Sequence, residues 1–183
     1  MSTTTWRSVL AVPVSPARDH IRGSVDAPVS LLEYGDYECP FCGLAHPIVR
    51  AIEAQLGDAI HFVFRHFPMT TVHPHAELAT EAAGSQGKFW RMHDMLYENQ
   101  QQLDGPHLLS YAAAIGLDVN RLANEVTEHM YLPKINDDFV SGVRSGVNGT
   151  PTFYINGIRH NGGWDYASLM AALKRAAVAA AAA

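Results

Sequence analysis

Strand-forming residues concentrate near the two ends of this chain, and the long stretch between them reads as helix. "VSLLEY" (29–34) is a short, mostly apolar run set between "DAP" and Gly35-Asp36, the pattern of a buried strand. "IHFVFRHF" (60–67) is a second strand by its β-branched and aromatic content. Between them, from Pro40 onward, Phe41, Leu44, Ala45, Ile48, Val49, Ile52 and Leu56 recur at three- and four-residue steps, and Gly57 ends the run. That spacing predicts an amphipathic helix, with a kink expected at Pro47, which lacks a donor and crowds the carbonyl of Gly43. Strand, helix and strand in this order make a right-handed parallel unit.

Residues 73–146 carry helical patterns broken by Gly, Pro and Asp at short intervals. Strand character returns only in "TFYING" (152–157), where Asn156-Gly157 is a strong hairpin signal. A helix over 164–177 closes the fold, and the Ala-rich end is expected to fray. So short a hairpin cannot form a core alone, so it must pair with the early strands. The expected class is α/β, with a sheet domain built from 23–72 and 147–177 and a helical domain inserted at 73–146. Residues 1–22 form an extension with room for a short edge strand, and 178–183 an Ala-rich tail.

A chain of 183 residues with 48% hydrophobic content can bury one sizeable core. Its formal charge of −5, from 13 basic and 18 acidic residues, supplies no basic stripe, so nucleic acid is not an expected partner. No apolar run reaches the roughly 18 residues of a membrane span. "MSTTTWRSVLAVPVSPA" is a poor signal peptide, because Pro13 interrupts its apolar stretch. The expected location is cytoplasmic if Met1 is the native start, and otherwise that of a mature exported or periplasmic form; the expected state is a monomer or weak dimer.

Both cysteines stand in "YGDYECPFCG" (34–43), separated by Pro40 and Phe41. At i and i+3 on the first turn of a helix, Cys39 and Cys42 lie on one face, near enough to bridge, and Cys39 sits where backbone N–H groups favour an anion. Pro40 suits that turn, having no donor to waste. The geometry makes Cys39 the exposed attacking thiol and Cys42 the buried resolving one, while Asp36 and Glu38 are negative neighbours. Two other uses compete. A permanent staple would close so small a loop that it stabilises little. A zinc site needs four ligands, and only His46, His73 and His75 are near candidates.

"DAPVSLLEYGDYECPFC", "FVFRHFP" and "GVNGTPTFYING", in that order, resemble the thioredoxin-fold disulfide oxidoreductases related to DsbA, including the DsbG-like and BdbD-like branch, from about Gly23 to about Leu173. The resemblance implies a thioredoxin-like fold with a helical insertion. It implies a protein disulfide oxidoreductase or isomerase that needs no organic cofactor or metal beyond a redox-active Cys39–Cys42 disulfide. Its partners would be protein thiols or disulfides and a recycling redox partner not identified by sequence. Cys39 matches the nucleophile, Cys42 the resolving cysteine, and Thr150-Pro151 the cis-proline loop; with Pro40 and Phe41, that loop would contact substrate. Glu33, six residues before Cys39, matches a buried acid that moves protons from the resolving thiol. Phe41 stands where DsbA-like oxidants commonly carry His, and Phe donates no hydrogen bond, which leaves the direction of electron flow open. A cytosolic reductase, a glutathione- or peroxide-linked redox protein, and a non-catalytic redox-sensing binding module are the rival functions. His66 is expected to pack and hydrogen-bond, and Trp90, Met92, Met95, Leu96 and Tyr97 to form helical core.

Overall fold

The structure, a computed structural model, describes residues 9–69 and 75–182. Five strands form one sheet in the order β1-β3-β2-β4-β5. These are β1 (His20–Gly23), β2 (Val29–Gly35), β3 (Ile60–His66), β4 (Thr152–Ile155) and β5 (Ile158–Arg159). The expected early unit is present: α1 (Pro40–Leu56) connects β2 to β3, which pair in parallel from Val29↔Ile60 to Gly35↔His66. β4 lies antiparallel on the other side of β2, in register from Leu31↔Ile155 to Tyr34↔Thr152. Asn156 (φ 47°) and Gly157 (φ 76°) make the turn to β5 with left-handed backbone at both positions, the geometry of a type I′ hairpin. β1 joins the sheet as an antiparallel edge on β3.

Because β2 is central, helices cover both its faces and almost all of it is buried. One face carries Leu31, Phe62, Phe64, Phe153 and Ile155 against α1 and α7 (Tyr166–Ala181). The other carries Leu32, Tyr34, Val63 and Tyr154. Between β3 and β4 come α2 (His75–Ser85), α3 (Phe89–Glu98), α4 (Gly105–Ala114), α5 (Val119–Thr127) and α6 (Leu132–Ser145). Met92, Leu96 and Tyr97 of α3 pack into the same core as α1, as their helical spacing implied. Each such buried side chain contributes about 1.5–3 kcal/mol.

Three expectations are corrected. The buried stripe of α1 is Cys42, Ala45, His46, Val49 and Ile52, while Phe41 and Leu44 are about 60% exposed. The stripe has turned toward Cys42, which leaves those two apolar residues on its solvent edge. The closing helix starts at Tyr166, capped by the Asp165 carboxylate, and runs to Ala181 instead of fraying at 177. Alanine is the strongest helix former, so the run extends the helix without tertiary support. Strand β3 ends at His66, one residue before Phe67. The domain boundary expected at 72–73, His73 and residues 1–8 lie outside the described residues.

Candidate functional site

Cys39 is the N-cap of α1, in extended backbone (φ −76°, ψ 117°), and no side chain caps that helix start. The N–H groups of the first turn are therefore left for an anion beside them. Cys39 is half-buried, and its thiol donates to the carbonyl of Thr150 at 3.4 Å. Cys42, one turn on, has no exposed surface. Both are free thiols in this structure. Burial is the main cause that pushes the Cys42 thiol far up, ionised Glu33 adds to it, and the hydroxyl of Thr150, a buried oxygen with no other partner, opposes it.

Thr150 and Pro151 arrive in a loop just ahead of β4, and the peptide bond between them is cis. Thr152 donates to the carbonyl of Gly149 at 2.7 Å, and Arg159 donates to the Gly146 carbonyl and the Asn148 side chain, so the loop is tied at both ends. The register that pairs β2 with β4 thus carries a segment more than a hundred residues away onto the Cys39 thiol.

Glu33 is buried in the middle of β2, flanked by Phe64 on β3 and Phe153 on β4. Its Oε1 has no hydrogen-bond partner among the described residues, and burial raises its pKa to about 8, with Arg22 acting in the opposite direction. The space beside Gly35 holds Glu33 Oε1, the Tyr97 hydroxyl and the edge of the Phe64 ring together. Tyr97 donates at long range to the Asp36 carbonyl, and Tyr37 shares a hydrogen bond with His93 Nδ1 at 2.9 Å. Burial raises both phenols well above the usual range. Glu77 of α2 has a carboxyl raised to about 8 by burial, with Asp36 and Glu38 adding to the effect. The Asp36 carboxylate accepts from the backbone N–H groups of Glu38 (2.8 Å) and Met69 (2.9 Å), holding the loop that presents Cys39.

The structure therefore brings Cys39, Cys42 and Thr150 together and buries Glu33 on the side of β2 that faces Cys42. Pro40 and Phe41 lie on the exposed outer turn, where Phe41, Leu44 and Met69 expose apolar surface. His66 is buried and bonded to Glu81 at 2.8 Å, the packing role expected of it. Tyr37 lies inside the cysteine motif without a role assigned to it there, and Tyr97, Glu77 and Gln100 stand outside any motif; the bonds from Tyr97 to Asp36 and from Gln100 to Tyr37 span some 60 residues of sequence.

Among the described residues one group has metal-ligand geometry: His46, His93 and Asp94 bring ligand atoms within 4.8 Å of one another. Arg22 donates to Asp94 Oδ1 at 2.8 Å, so a cation there would face a fixed positive charge. Of the histidines weighed for zinc, His46 belongs to this group and His75 does not.

Residues 16–175 match the family model described as thioredoxin. Among solved structures the chain is similar to BdbD from Bacillus subtilis, at TM-score 0.79 and 23% identity, covering 90% of this chain and 95% of that one. It is similar also to alpha-DsbA1 from Wolbachia pipientis, at TM-score 0.81 and 20% identity, covering 94% and 96%. A curated relative, the Na(+)/H(+) antiporter NhaA 1 of Salinispora arenicola, is 45% identical over 170 residues, which are 91% of this chain and 26% of the antiporter. The chain spans about a quarter of the length of the curated relatives it matches. No helix among the described residues is long and apolar enough to cross a membrane. With its fold, its C-P-F-C turn and nearly the whole chain matched, the protein belongs to the thioredoxin family.

Proposed function

We propose that this chain is a thiol–disulfide oxidoreductase acting on protein substrates. One observation carries the reading: a half-exposed cysteine at an uncapped helix start, directly against a carbonyl of the Thr150-Pro151 loop, with a fully buried second cysteine one turn behind it. The Cys39 thiolate attacks one sulfur of a substrate disulfide, forming a mixed disulfide and releasing one substrate thiolate. Cys42 then gives up its proton and attacks the Cys39 sulfur. The Cys39–Cys42 disulfide forms, the second substrate thiol leaves, and two electrons have passed to the substrate. Glu33 is the group that accepts the Cys42 proton, and its raised pKa of about 8 lets it both take and release a proton near neutrality. Pro40, Phe41, Thr150 and Pro151 contact the client, and the exposed faces of Phe41 and Leu44 favour an apolar segment of it. No organic cofactor or metal enters this cycle.

Insulin disulfide reduction tests the reading: wild type accelerates it and Cys39→Ser does not. A Cys39→Ser protein with full activity would overturn it. Equilibration in glutathione buffers gives the direction of flow, with a potential near about −120 mV marking an oxidant and near about −270 mV a reductant.

A second reading rests on the antiporter relatives, in which a matching stretch of about 170 residues occupies a quarter of a longer protein. Here the cysteine pair senses redox state and regulates a membrane partner without turnover. It predicts reversible oxidation of Cys39 and Cys42 but no insulin reduction above background.

A further inference from the structure

Gln100 stands just beyond the end of α3, in the helical block, yet its side chain belongs to the cysteine turn. Both amide hydrogens are used there: Nε2 donates to the Tyr37 carbonyl at 2.8 Å and to the Cys39 carbonyl at 2.9 Å. The Cys39 carbonyl also accepts the first hydrogen bond of α1, from Gly43 N–H at 3.1 Å, so both its lone pairs are occupied. A further bond of the turn runs from Cys39 N–H to the Asp36 carbonyl at 3.1 Å. Gly43 makes room for the amide: a Cβ there would lie 1.9 Å from Gln100 Oε1. The absence of a side chain at position 43 and the reach of Gln100 thus form one device.

We propose that Gln100 is a positioning residue for the Cys39 thiolate. It locks the 37–39 backbone so that the first N–H groups of α1 stay available to the sulfur, and its N–H groups offset the negative ends of the Tyr37 and Cys39 carbonyls. A carbonyl dipole beside a thiolate is repulsive, and a donor on that carbonyl offsets the repulsion. The fixed turn makes the nucleophile's reactivity depend on the seating of the helical block against the sheet, through an amide 61 residues away in the sequence. The meaning of this role rests on the thiol–disulfide reading above, but its test does not.

The test is iodoacetamide alkylation of Cys39 followed across pH in wild type, Gln100→Ala, Gln100→Glu and Gly43→Ala proteins, with melting temperatures measured alongside. Losing the amide should slow alkylation at pH 7 by about five- to tenfold, the scale of one or two hydrogen bonds, and move the pH–rate profile to higher pH. Gln100→Glu should move it further, because a carboxylate would face two carbonyls. Gly43→Ala should slow alkylation as well, by displacing Gln100, even though alanine is the better helix former. In the Gly43→Ala/Gln100→Ala double variant the second change should add nothing, since the two act as a unit. A lowered melting temperature with an unchanged pH–rate profile in Gln100→Ala would reduce Gln100 to a structural contact and overturn the inference. So would additive effects of the two substitutions. A wild type that alkylates as described but reduces no insulin would instead overturn the proposed function and leave the role of Gln100 standing.

Discussion

The two faces of β2 carry polar side chains of comparable burial and treat them in opposite ways. On one face Tyr34 bonds both Ser141 Oγ (2.8 Å) and the Arg65 guanidinium (3.1 Å). Arg65 is wholly buried and is met by a bidentate Asp19 and by the carbonyls of Val12 and Pro13. On the other face, one residue earlier, Glu33 leaves Oε1 without a partner among the described residues, and the nearby Tyr97 hydroxyl makes a long bond to the Asp36 carbonyl. Buried polar groups in a scaffold are normally satisfied, because an unmet one costs about 1–3 kcal/mol. The satisfied face holds the N-terminal strap and α6 to the sheet. The unsatisfied face is the one turned toward Cys42, where the proposed cycle has Glu33 exchange a proton.

Breaking the satisfied face should produce the largest loss of stability. Asp19→Ala strands the Arg65 guanidinium in the core and should cost about 3–5 kcal/mol in denaturant unfolding. The folded fraction should keep normal Cys39 alkylation, and a parallel loss of thiol reactivity would show that the two faces are not separable.

Acid should act next, through His46 on the buried face of the cysteine helix and His93 packed against it. His46 is lowered to about 4, chiefly by burial, and burial lowers His93 as well. Their unfolded forms take up protons near pH 6.5, so the unfolded state binds more protons between about 6.5 and 4 and stability falls as pH drops through that window. Relative to wild type, His46→Gln should therefore gain melting temperature as pH falls from 7 to 4.5, the raised carboxyls of Glu33 and Glu77 acting equally in both proteins; a constant difference across that range would show that His46 contributes nothing.

Glu33 gives the opposite sign. Its carboxyl is raised from 4.5 to about 8, so the folded state holds the extra proton in that window and stability is lost as pH rises through it. Glu33→Gln should match wild type in melting temperature near pH 5, exceed it at pH 9, and slow release of the mixed disulfide. Equal pH dependence in the two proteins would contradict a buried acid that titrates near neutrality. The smallest effect should come from Tyr34→Phe, which removes a hydroxyl bound at two points and should cost about 1–3 kcal/mol by leaving Ser141 and Arg65 each short of a partner.

The contrast also separates what was legible in the sequence from what was not. The parallel unit of β2, α1 and β3, the helical block and the Asn156-Gly157 hairpin follow from periodicity and turn chemistry, which are local. The burial of Glu33 was within reach because a central parallel strand is covered on both faces. Phe41 and Leu44 share the helical spacing of the apolar stripe yet stay exposed, since hydrophobic spacing alone does not fix which edge of the stripe the sheet will cover. The partners of the cysteine turn are a different case. Tyr97 and Gln100 stand in a stretch read as helical core and its end, and only the docking of the helical block on the sheet brings their polar atoms to Asp36, Tyr37 and Cys39.

In the proposed cycle Cys39 attacks and Cys42 resolves. Trapping tests it directly: Cys42→Ser and Cys39→Ser proteins are mixed with an oxidised peptide, and the products are weighed by mass spectrometry. A stable mixed disulfide is expected on Cys39 in the Cys42→Ser protein and no adduct in the Cys39→Ser protein. An adduct on Cys42 at wild-type rate in the Cys39→Ser protein, with none on Cys39 in its counterpart, would contradict it.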